Sequence, residues 1–479
     1  MKSLITLILI LICLSSLGLA QAPDTAWTKT YHRDSYDDCK WITETSDNGF
    51  ALVGVSQITG NTWLDIFLVR TDTNGDTLWT HTYGDTIIGQ EAFCVKQDYD
   101  GGFVIAGIKH LTMVLRNAWI IKTDSNGDTL WTTMFGGTLN TEAIHVSCTP
   151  DSGYIVTGKK YDPGEFSNAY LLKLDSNGDT DWVRTFGGSG YEEGFSVQQT
   201  ADGGYMLAGT KDVSGRGWDF YLIKTDSSGI ADWSYTYGGD VTDHCTSAQQ
   251  TSDGGYIMFG ETDSNIPNSS LALKVNSDGD SIWCKNYSRS TGDYGWSVDQ
   301  TSDGGYIFGG YSNNPGYRDD YWFVRTDANG DTLWMKTVGH GDDQRAYCIL
   351  QSSDGGYVLA GESSEPNPTF GDFFVVKLNA NPSAIDNDIS LPSSFQLSQN
   401  YPNPFNASTE IRYSLAELME INISIFDALG RKVESLYDGV QQAGQYAISW
   451  DASDQPSGIY FARLNSMDKT ESIRMLLLK

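Results

Sequence analysis

The sequence is poor in proline, histidine and basic residues, and each shortage limits what the protein can be. Its 479 residues include 12 prolines and 6 histidines, and 31 Lys and Arg stand against 61 Asp and Glu, a formal net charge of −30. Such a charge repels phosphate backbones and anionic headgroups, so we expect no nucleic acid or membrane surface as partner. The histidines lack metal-ligand spacing, and no G-x-S-x-G, H-E-x-x-H or P-loop motif occurs, so no metal site or catalytic motif is predicted.

A long apolar run occurs only at the N-terminus, in MKSLITLILILICLSSLGLA. An early lysine, an apolar stretch from Leu4 to Leu14 and small residues at Gly18 and Ala20 predict a signal peptide over residues 1–20. No later run approaches the ~20 residues needed to cross a bilayer, so no transmembrane segment is expected. Six cysteines follow at similar places in different repeats, which predicts free, buried thiols rather than disulfides.

Glycine is abundant, with 51 residues, and the sequence repeats. The phrase Asp-x-Gly-aromatic recurs at spacings of 53, 51, 51, 51, 50 and 51 residues. Its aromatic residues, called the register aromatics below, are Phe50, Phe103, Tyr154, Tyr205, Tyr256, Tyr306 and Tyr357. Repetition at this period indicates units of one supersecondary motif each.

Each unit contains four strand-like pieces, as in GFSVQQT, GGYMLAGT, DFYLIKT and ADWSYTYGG within residues 194–239. Four short strands per unit are typical of a β-propeller blade. A tryptophan begins the last strand of six units, and AWTKTYH at residues 26–32 supplies the missing copy for the seventh. The sequence therefore predicts an all-β fold, a seven-bladed β-propeller over residues 22–381 that is closed by the N-terminal strand.

The acidic phrase TDSNGDTLW (residues 123–131) recurs between the third and fourth pieces. Asn-Gly between two strand runs predicts a hairpin turn. A calcium loop of the EF-hand type needs its glycine elsewhere and a distant bidentate glutamate. The fourth unit reads TDSSGIADW, so the turn survives where Ile230 replaces the acid. We therefore expect a structural turn and no cofactor, with calcium as an incidental stabiliser of some units left as the alternative.

A candidate ligand site comes from the residues twelve positions before the register aromatics. They are Asp38, Glu91, Glu142, Glu193, His244, Tyr294 and Arg345. They should lie near the starts of the innermost strands, beside loops that differ between units, where binding usually occurs. Four carboxylates there predict binding of a cation or of sugar hydroxyls, and the alternative is solvated loop-end acids. Glu142 and Glu193 would be the general acid and base of a glycosidase if they stood ~5–10 Å apart.

Aromatic residues in the variable loops form a second candidate group. They are Trp63, Phe166, Trp218, Tyr317 and Phe370. Such side chains stack on sugar rings or, alternatively, anchor their own loops by partial burial.

The C-terminal part differs from the repeats. After a polar linker (residues 382–394), residues 395–479 contain six strand-like pieces separated by turns, which predicts a small Ig-like β-sandwich. LSQNYPNPFN (397–406), Asp427-x-x-Gly430-Arg431, SGIYFARL (457–464) and a terminal run ending in Lys479 resemble the C-terminal sorting domain of type IX secretion (the Por secretion tail). The motif residues are Tyr401, Pro402, Asn403, Pro404, Asp427, Gly430, Arg431, Gly458 and Lys479. The resemblance implies the type IX secretion machinery as partner, and release from the cell or attachment to the outer-membrane surface after signal-peptide cleavage.

These observations favour a secreted or cell-surface binding protein, a monomer without catalysis whose ligand is an unknown glycan or protein. The alternative is a polysaccharide-acting hydrolase or lyase that uses the acidic channel mouth. A third hypothesis is a structural protein that carries calcium.

Overall fold

Every regular element in the described part of the chain is a β-strand. The computed structural model describes residues 21–33, 35–57, 63–84, 88–161, 166–188, 190–213, 217–263, 269–288, 292–314, 318–339, 343–364, 371–380, 395–397, 399–400, 403–415, 419–441, 444–466 and 469–478. The chain divides into two compact units, Met1–Asn381 and Pro382–Lys479. The predicted signal peptide and linker lie outside the described residues.

The first unit consists of short strands, most of them seven to nine residues long. In chain order they are β1 Thr25–Tyr31, β2 Tyr36–Glu44, β3 Phe50–Gln57, β4 Leu64–Thr71, β5 Thr77–Tyr83, β6 Gln90–Gln97, β7 Phe103–His110, β8 Arg116–Thr123, β9 Thr129–Phe135, β10 Thr141–Cys148, β11 Tyr154–Tyr161, β12 Ser167–Leu174, β13 Thr180–Phe186, β14 Glu192–Gln199, β15 Tyr205–Val213, β16 Gly217–Thr225, β17 Ala231–Tyr237, β18 Asp243–Gln250, β19 Tyr256–Thr262, β20 Ser269–Val275, β21 Ser281–Asn286, β22 Asp293–Gln300, β23 Tyr306–Asn314, β24 Arg318–Thr326, β25 Thr332–Val338, β26 Gln344–Gln351, β27 Tyr357–Ser363 and β28 Asp372–Leu378.

These strands form four-stranded antiparallel sheets that follow chain order. The orders are β2-β3-β4-β5, β6-β7-β8-β9, β10-β11-β12-β13, β14-β15-β16-β17, β18-β19-β20-β21, β22-β23-β24-β25 and β26-β27-β28-β1. In the last of them the fourth strand comes from the N-terminus, because β1 pairs with β28 and sets Thr30 opposite Phe374. Repeated sheets of this blade-like kind fit a propeller.

The second and third strands of each sheet are buried and the fourth is largely exposed, so the apolar cores lie between neighbouring sheets. At each junction a tryptophan of one sheet's fourth strand meets the register aromatic of the next sheet edge to face. Trp79 lies 5.8 Å from Phe103 and Trp233 lies 5.9 Å from Tyr256, measured between ring centroids. Trp27 of β1 makes the same contact with Phe50 of the first sheet at 6.1 Å. The last sheet therefore packs on the first as the other neighbours pack on each other.

The acidic phrase between third and fourth strands is a turn that a carboxylate holds together. Asp124 accepts hydrogen bonds from the backbone N–H groups of Asn126 at 2.8 Å and Asp128 at 2.9 Å. Asp226 accepts the same two bonds, the second from Ile230 at 2.9 Å. The turn thus does not need the last acid, as the sequence predicted, and Asn276 Oδ1 accepts the equivalent bonds from Asp278 N and Asp280 N, so an amide can replace the first carboxylate.

The second unit holds two smaller sheets around one apolar core. Its strands are β29 Gln396–Leu397, β30 Ser408–Leu415, β31 Met419–Asp427, β32 Lys432–Gln441, β33 Gly444–Asp451, β34 Gly458–Asn465 and β35 Thr470–Leu477. The sheet orders are β29-β30-β33 and β32-β31-β34-β35. Ile411 and Trp450 from the first sheet pack in the same cluster as Ile423 and Leu464 from the second.

The six cysteines of the described chain are free, as predicted. Their predicted burial is wrong for Cys284, which is exposed because it lies on the outermost strand β21, and Cys148 is half-buried. Within the described residues no helix is long and apolar enough to span a membrane.

Candidate functional site

The candidate residues occupy equivalent places in the structure, at the second or third position of the innermost strand of each sheet. Each lies opposite a residue of the second strand. The pairs are Asp38–Val55, Glu91–Ile108, Glu142–Lys159, Glu193–Thr210, His244–Glu261, Tyr294–Tyr311 and Arg345–Glu362. The register of the sequence repeats therefore predicted which positions are equivalent in the sheets. What each residue can do chemically depends on the side chains that it contacts.

Glu142 and Glu193 are joined by a cation. Lys159 Nζ lies 3.5 Å from Glu142 Oε2 and 3.4 Å from Glu193 Oε1. Arg116 also contacts Glu142, and its Nε donates a hydrogen bond to Glu142 Oε1 at 2.7 Å. Burial lowers the pKa of Lys159, but the charges of Glu142 and Glu193 outweigh it and the net pKa is raised. The two carboxylates thus belong to one ion-pair network of opposite charges.

The other two carboxylates also have basic neighbours. Asp38 accepts hydrogen bonds from Lys40 and, at 3.3 Å, from the Tyr36 hydroxyl. Glu91 lies 3.9 Å from His110. Burial raises the pKa of both Asp38 and Glu91 above the ordinary carboxyl value. The candidate carboxylates are therefore interleaved with basic side chains, and sequence reasoning missed Lys40, His110, Arg116 and Lys159.

The remaining three positions carry rings and a guanidinium. Tyr294 stacks on Tyr311 with centroids 4.7 Å apart, and the Arg345 guanidinium lies 5.8 Å from the Tyr311 ring centroid. Arg345 Nε donates to Asp319 at 2.8 Å, and this bond is the main reason its pKa is raised. Glu261, opposite His244, is desolvated by burial and repelled by Asp263, which raises its pKa to about 7.

An aromatic run, defined here as Phe166, Tyr191, Trp218 and His244, crosses three neighbouring sheets beside these positions. Consecutive ring centroids are 4.3, 5.6 and 5.4 Å apart. Phe166 is 46% exposed, and the other three are half-buried. Sequence reasoning found Phe166, Trp218 and His244 but missed Tyr191, which follows the small residues of an inter-sheet loop and completes the run. Burial lowers the pKa of His244.

Of the other predicted loop aromatics, the structure describes Trp63, which is outside this run. Trp63 lies beside His110, with ring centroids 6.5 Å apart. Tyr317 and Phe370 lie outside the described residues.

The later halves of the innermost strands line a cavity of about 1010 Å³. Its walls carry amide side chains such as Gln199 and Gln250, together with Lys96 and Asp299. His145 lies there too, buried edge-on against Trp41, and burial lowers its pKa well below the ordinary imidazole value. The same strands therefore carry the candidate residues near their beginnings and the cavity-lining side chains in their later halves.

The sorting-motif residues have structural roles in the second unit. Asn403 bonds β35 through both amide atoms, accepting from Leu476 N at 2.9 Å and donating to Arg474 O at 3.2 Å. Asp427 holds a turn by accepting Arg431 N at 2.9 Å and Arg431 Nε at 2.7 Å. Gly430 in that turn has a φ of 78°, a conformation that favours glycine, Pro404 follows Asn403, and Gly458 begins β34. Tyr401, Pro402 and Lys479 lie outside the described residues.

Comparison with known proteins identifies the C-terminal module. Residues 399–478 match the family described as "Secretion system C-terminal sorting domain". The sorting domain is thereby confirmed, and it indicates export by type IX secretion to the outside of the cell or to its surface. No curated protein matches the chain.

Solved structures resemble the chain only distantly. Sqt1 from Chaetomium thermophilum is 9% identical over 72% of this chain and 82% of its own, with a TM-score of 0.41. BBS1N in complex with ARL6DN is 9% identical over 76% of this chain and 99% of its own, with a TM-score of 0.42. A puromycin hydrolase mutant complexed with PGG is 12% identical over 79% of this chain and 58% of its own, with a TM-score of 0.49. None of these similarities bears on function.

Proposed function

We propose that the chain is a secreted or cell-surface glycan-binding protein without catalysis. In this proposal a signal peptide (1–20) precedes a seven-bladed propeller (22–381) that β1 closes, and a linker (382–394) leads to an Ig-like sorting domain (395–479). The propeller binds a glycan through the aromatic run, and the tail engages the type IX secretion machinery. The protein acts as a monomer.

The aromatic run carries the proposal. Sugar rings present C–H faces that pack on aromatic side chains, and their edges present hydroxyls that need hydrogen-bond donors and acceptors. Phe166, Tyr191 and Trp218 supply three ring faces in succession, tilted by 50° and 32° from one to the next. Glu193 and Lys159 supply an acceptor and a donor beside them. A tilted series of rings suits a polysaccharide chain that twists along its length.

Catalysis by Glu142 and Glu193 receives less support. A glycosidase acid must hold a proton while its partner stays charged, which requires the two environments to differ. Here Lys159 contacts both carboxylates at nearly equal distances and Arg116 adds a second positive charge to Glu142. The two carboxylates therefore share one cation rather than lying in clearly different surroundings, and the pair is better suited to binding hydroxyls.

The test incubates the secreted chain with insoluble algal, plant and bacterial polysaccharides and measures co-sedimentation and newly released reducing ends. We expect retention on one polysaccharide class without release of ends, and at least about tenfold weaker retention for Trp218→Ala. Tyr99→Ala is the matched control, because Tyr99 is 72% exposed and lies in the turn between the first and second strands of its sheet.

Other outcomes would contradict the proposal in different ways. Equal retention of wild type and Trp218→Ala, at unchanged melting temperature, would remove the aromatic run as the binding surface. Release of reducing ends that Glu193→Gln abolishes while retention persists would establish the hydrolase or lyase instead.

A further inference from the structure

The junction between the last sheet and the first differs from the other junctions at one position. His32, directly after β1, occupies the register that glycine occupies after most other fourth strands. Those residues are Gly84, Gly136, Gly187, Gly238 and Gly339, with Ser288 as the exception in the described chain. Glycine is needed there because a Cβ would lie 2.4 Å from Asp65 Oδ1 at Gly84 and 1.8 Å from Asp320 Oδ1 at Gly339. At the junction between the last sheet and the first, the His32 imidazole instead contacts Asp372, the carboxylate equivalent to Asp65 and Asp320.

Three side chains meet at that point. His32 Nδ1 lies 2.7 Å from Asp372 Oδ1 and 3.5 Å from Asp37 Oδ2. The three ligand atoms all lie within 4.8 Å of one another. Two ligand atoms that hold one Zn²⁺ at about 2.1 Å with angles of about 90–110° are about 3.0–3.4 Å apart. The two imidazole–carboxylate distances lie on either side of this range, so small side-chain shifts would place all three atoms around one ion.

The charges around the cluster are unbalanced. The Asp37 side chain is fully buried, that of Asp372 is 11% exposed, and a single half-exposed imidazole faces both. Asp37 Oδ2 accepts the backbone N–H of Arg33 at 2.8 Å, and the buried Ser56 hydroxyl, which lies opposite Asp37 in the register, is a further hydrogen-bond partner of the carboxylate. Two buried carboxylates that share one imidazole are costly, and a cation between the two acids would offset that cost.

We propose that His32, Asp37 and Asp372 bind one divalent transition-metal cation that ties the N-terminal segment to the first and last sheets. One imidazole and two carboxylates suit Zn²⁺ and its first-row neighbours better than Ca²⁺, which prefers oxygen ligands alone. The imidazole is half-exposed, so water completes the coordination. Histidine spacing in the sequence gave no hint of the site, since Asp372 lies 340 residues from His32.

The test strips the chain lacking only residues 1–20 with EDTA and titrates it with Zn²⁺ and, separately, Co²⁺. We expect one equivalent to bind, with visible absorption bands from Co²⁺, and a rise in Tm of about 4 °C at a Zn²⁺ concentration 100 times the Kd. His32→Gly restores the residue of the other repeats and should weaken binding at least about 100-fold. Asp372→Asn, which keeps the side-chain shape, should do the same.

His81→Thr is the matched control, because Thr133 stands at the same register in the next repeat and His81 is outside the cluster. It should bind the cation like the wild type. Absence of Zn²⁺ and Co²⁺ binding by the wild type would overturn the proposal. Equal binding by His32→Gly and the wild type would overturn it as well, because the cation would then lie elsewhere.

Discussion

A buried basic residue on the third strand of each sheet is the most regular side-chain feature of the first unit. These residues are Arg70, Lys122, Lys173, Lys224, Lys274, Arg325 and Lys377, and each contacts the Asp of its own Asp-x-Gly turn, namely Asp47, Asp100, Asp151, Asp202, Asp253, Asp303 and Asp354. The turn was predictable from its glycine and acid. Its ionic partner was not, because the partner lies 21–23 residues away inside an apolar strand. The signal in the sequence that could have revealed this partner was the Lys or Arg that recurs at the same position of the third strand in every repeat.

Asp253→Asn tests one of these pairs. Lys274 is 3% exposed, contacts Asp253 Oδ2 at 3.0 Å, and also donates to Val275 O at 3.1 Å. Neutralising Asp253 leaves a buried ammonium without its counter-charge, but Asp253 itself is 58% exposed and water can partly compensate. We expect a loss of about 1–2 kcal/mol in the free energy of unfolding, measured by urea denaturation.

Asp278→Asn serves as the control for that change. Asp278 lies in the turn between the third and fourth strands of the same sheet, is exposed, and donates its backbone N–H to Asn276 Oδ1 at 3.0 Å. Its replacement should change the free energy of unfolding by less than about 0.5 kcal/mol. Equal losses for the two variants would show that the buried Lys274 does not depend on its partner.

At the scale of elements, glutamine side chains at the ends of the innermost strands connect neighbouring sheets. A backbone N–H of one sheet's turn donates to the glutamine Oε1 of the next sheet; these glutamine bridges are Ser46–Gln97, Ala201–Gln250, Ser252–Gln300 and Ser302–Gln351. Glu44 accepts from Ser353 N at the last junction, at 2.8 Å. The series is interrupted at two junctions. At one of them Cys148 stands in place of the glutamine. At the next, Pro150, which has no N–H, faces Gln199, and Gln199 Oε1 has no partner within the described residues.

The interruption at Gln199 supplies a matched pair of variants. Gln300 accepts from Ser252 N at 2.7 Å and donates to Gly304 O, whereas Gln199 makes only the equivalent donation, to Gly203 O. Gln300→Ala should therefore cost about 0.5–1.5 kcal/mol more in the free energy of unfolding than Gln199→Ala, which is the value of one hydrogen bond. The comparison is made by urea denaturation of both variants under the same conditions. Indistinguishable losses would mean that the bridges do not stabilise the junctions.

For the whole molecule, two sequence features were enough to predict the sheets and the place of β1. They are the repeat period and the recurring tryptophan, which is missing from the last repeat and present in the N-terminal segment. In the structure β1 pairs with β28. The candidate site was less predictable. Register gave the positions of Glu142 and Glu193, but their shared partner Lys159 depends on cross-strand pairing and side-chain reach. The cluster of His32 with Asp372 depends on how the two ends of the first unit meet, which no local pattern encodes.

Among the described acids with shifted pKa values, two groups have opposing effects on stability. Burial raises the pKa of Glu261 to about 7 and also raises that of Asp243. Burial likewise opposes ionisation of Asp202, but hydrogen bonds from Lys224 and Thr200 outweigh it and lower its pKa to about 2. An acid whose pKa is raised in the folded state favours folding at low pH, and this stability is lost as the pH rises through the folded-state pKa. An acid whose pKa is lowered in the folded state favours folding above its unfolded-state pKa, and this stability is lost as the pH falls through the folded-state pKa.

The free energy of unfolding should consequently be greatest at about pH 4–5, between the pH ranges in which the two groups of acids titrate. It should decline toward pH 8 and toward pH 2. The midpoint of urea denaturation measured from pH 3 to pH 8 tests this expectation. Glu261→Gln should raise the free energy of unfolding at pH 8 by about 2 kcal/mol, because burial raises the pKa of Glu261 to about 7, and should leave the value at pH 4 unchanged. A wild-type optimum at pH 7, or a Glu261→Gln effect that is the same at both pH values, would contradict the assignment of Glu261 as a buried acid that resists ionisation.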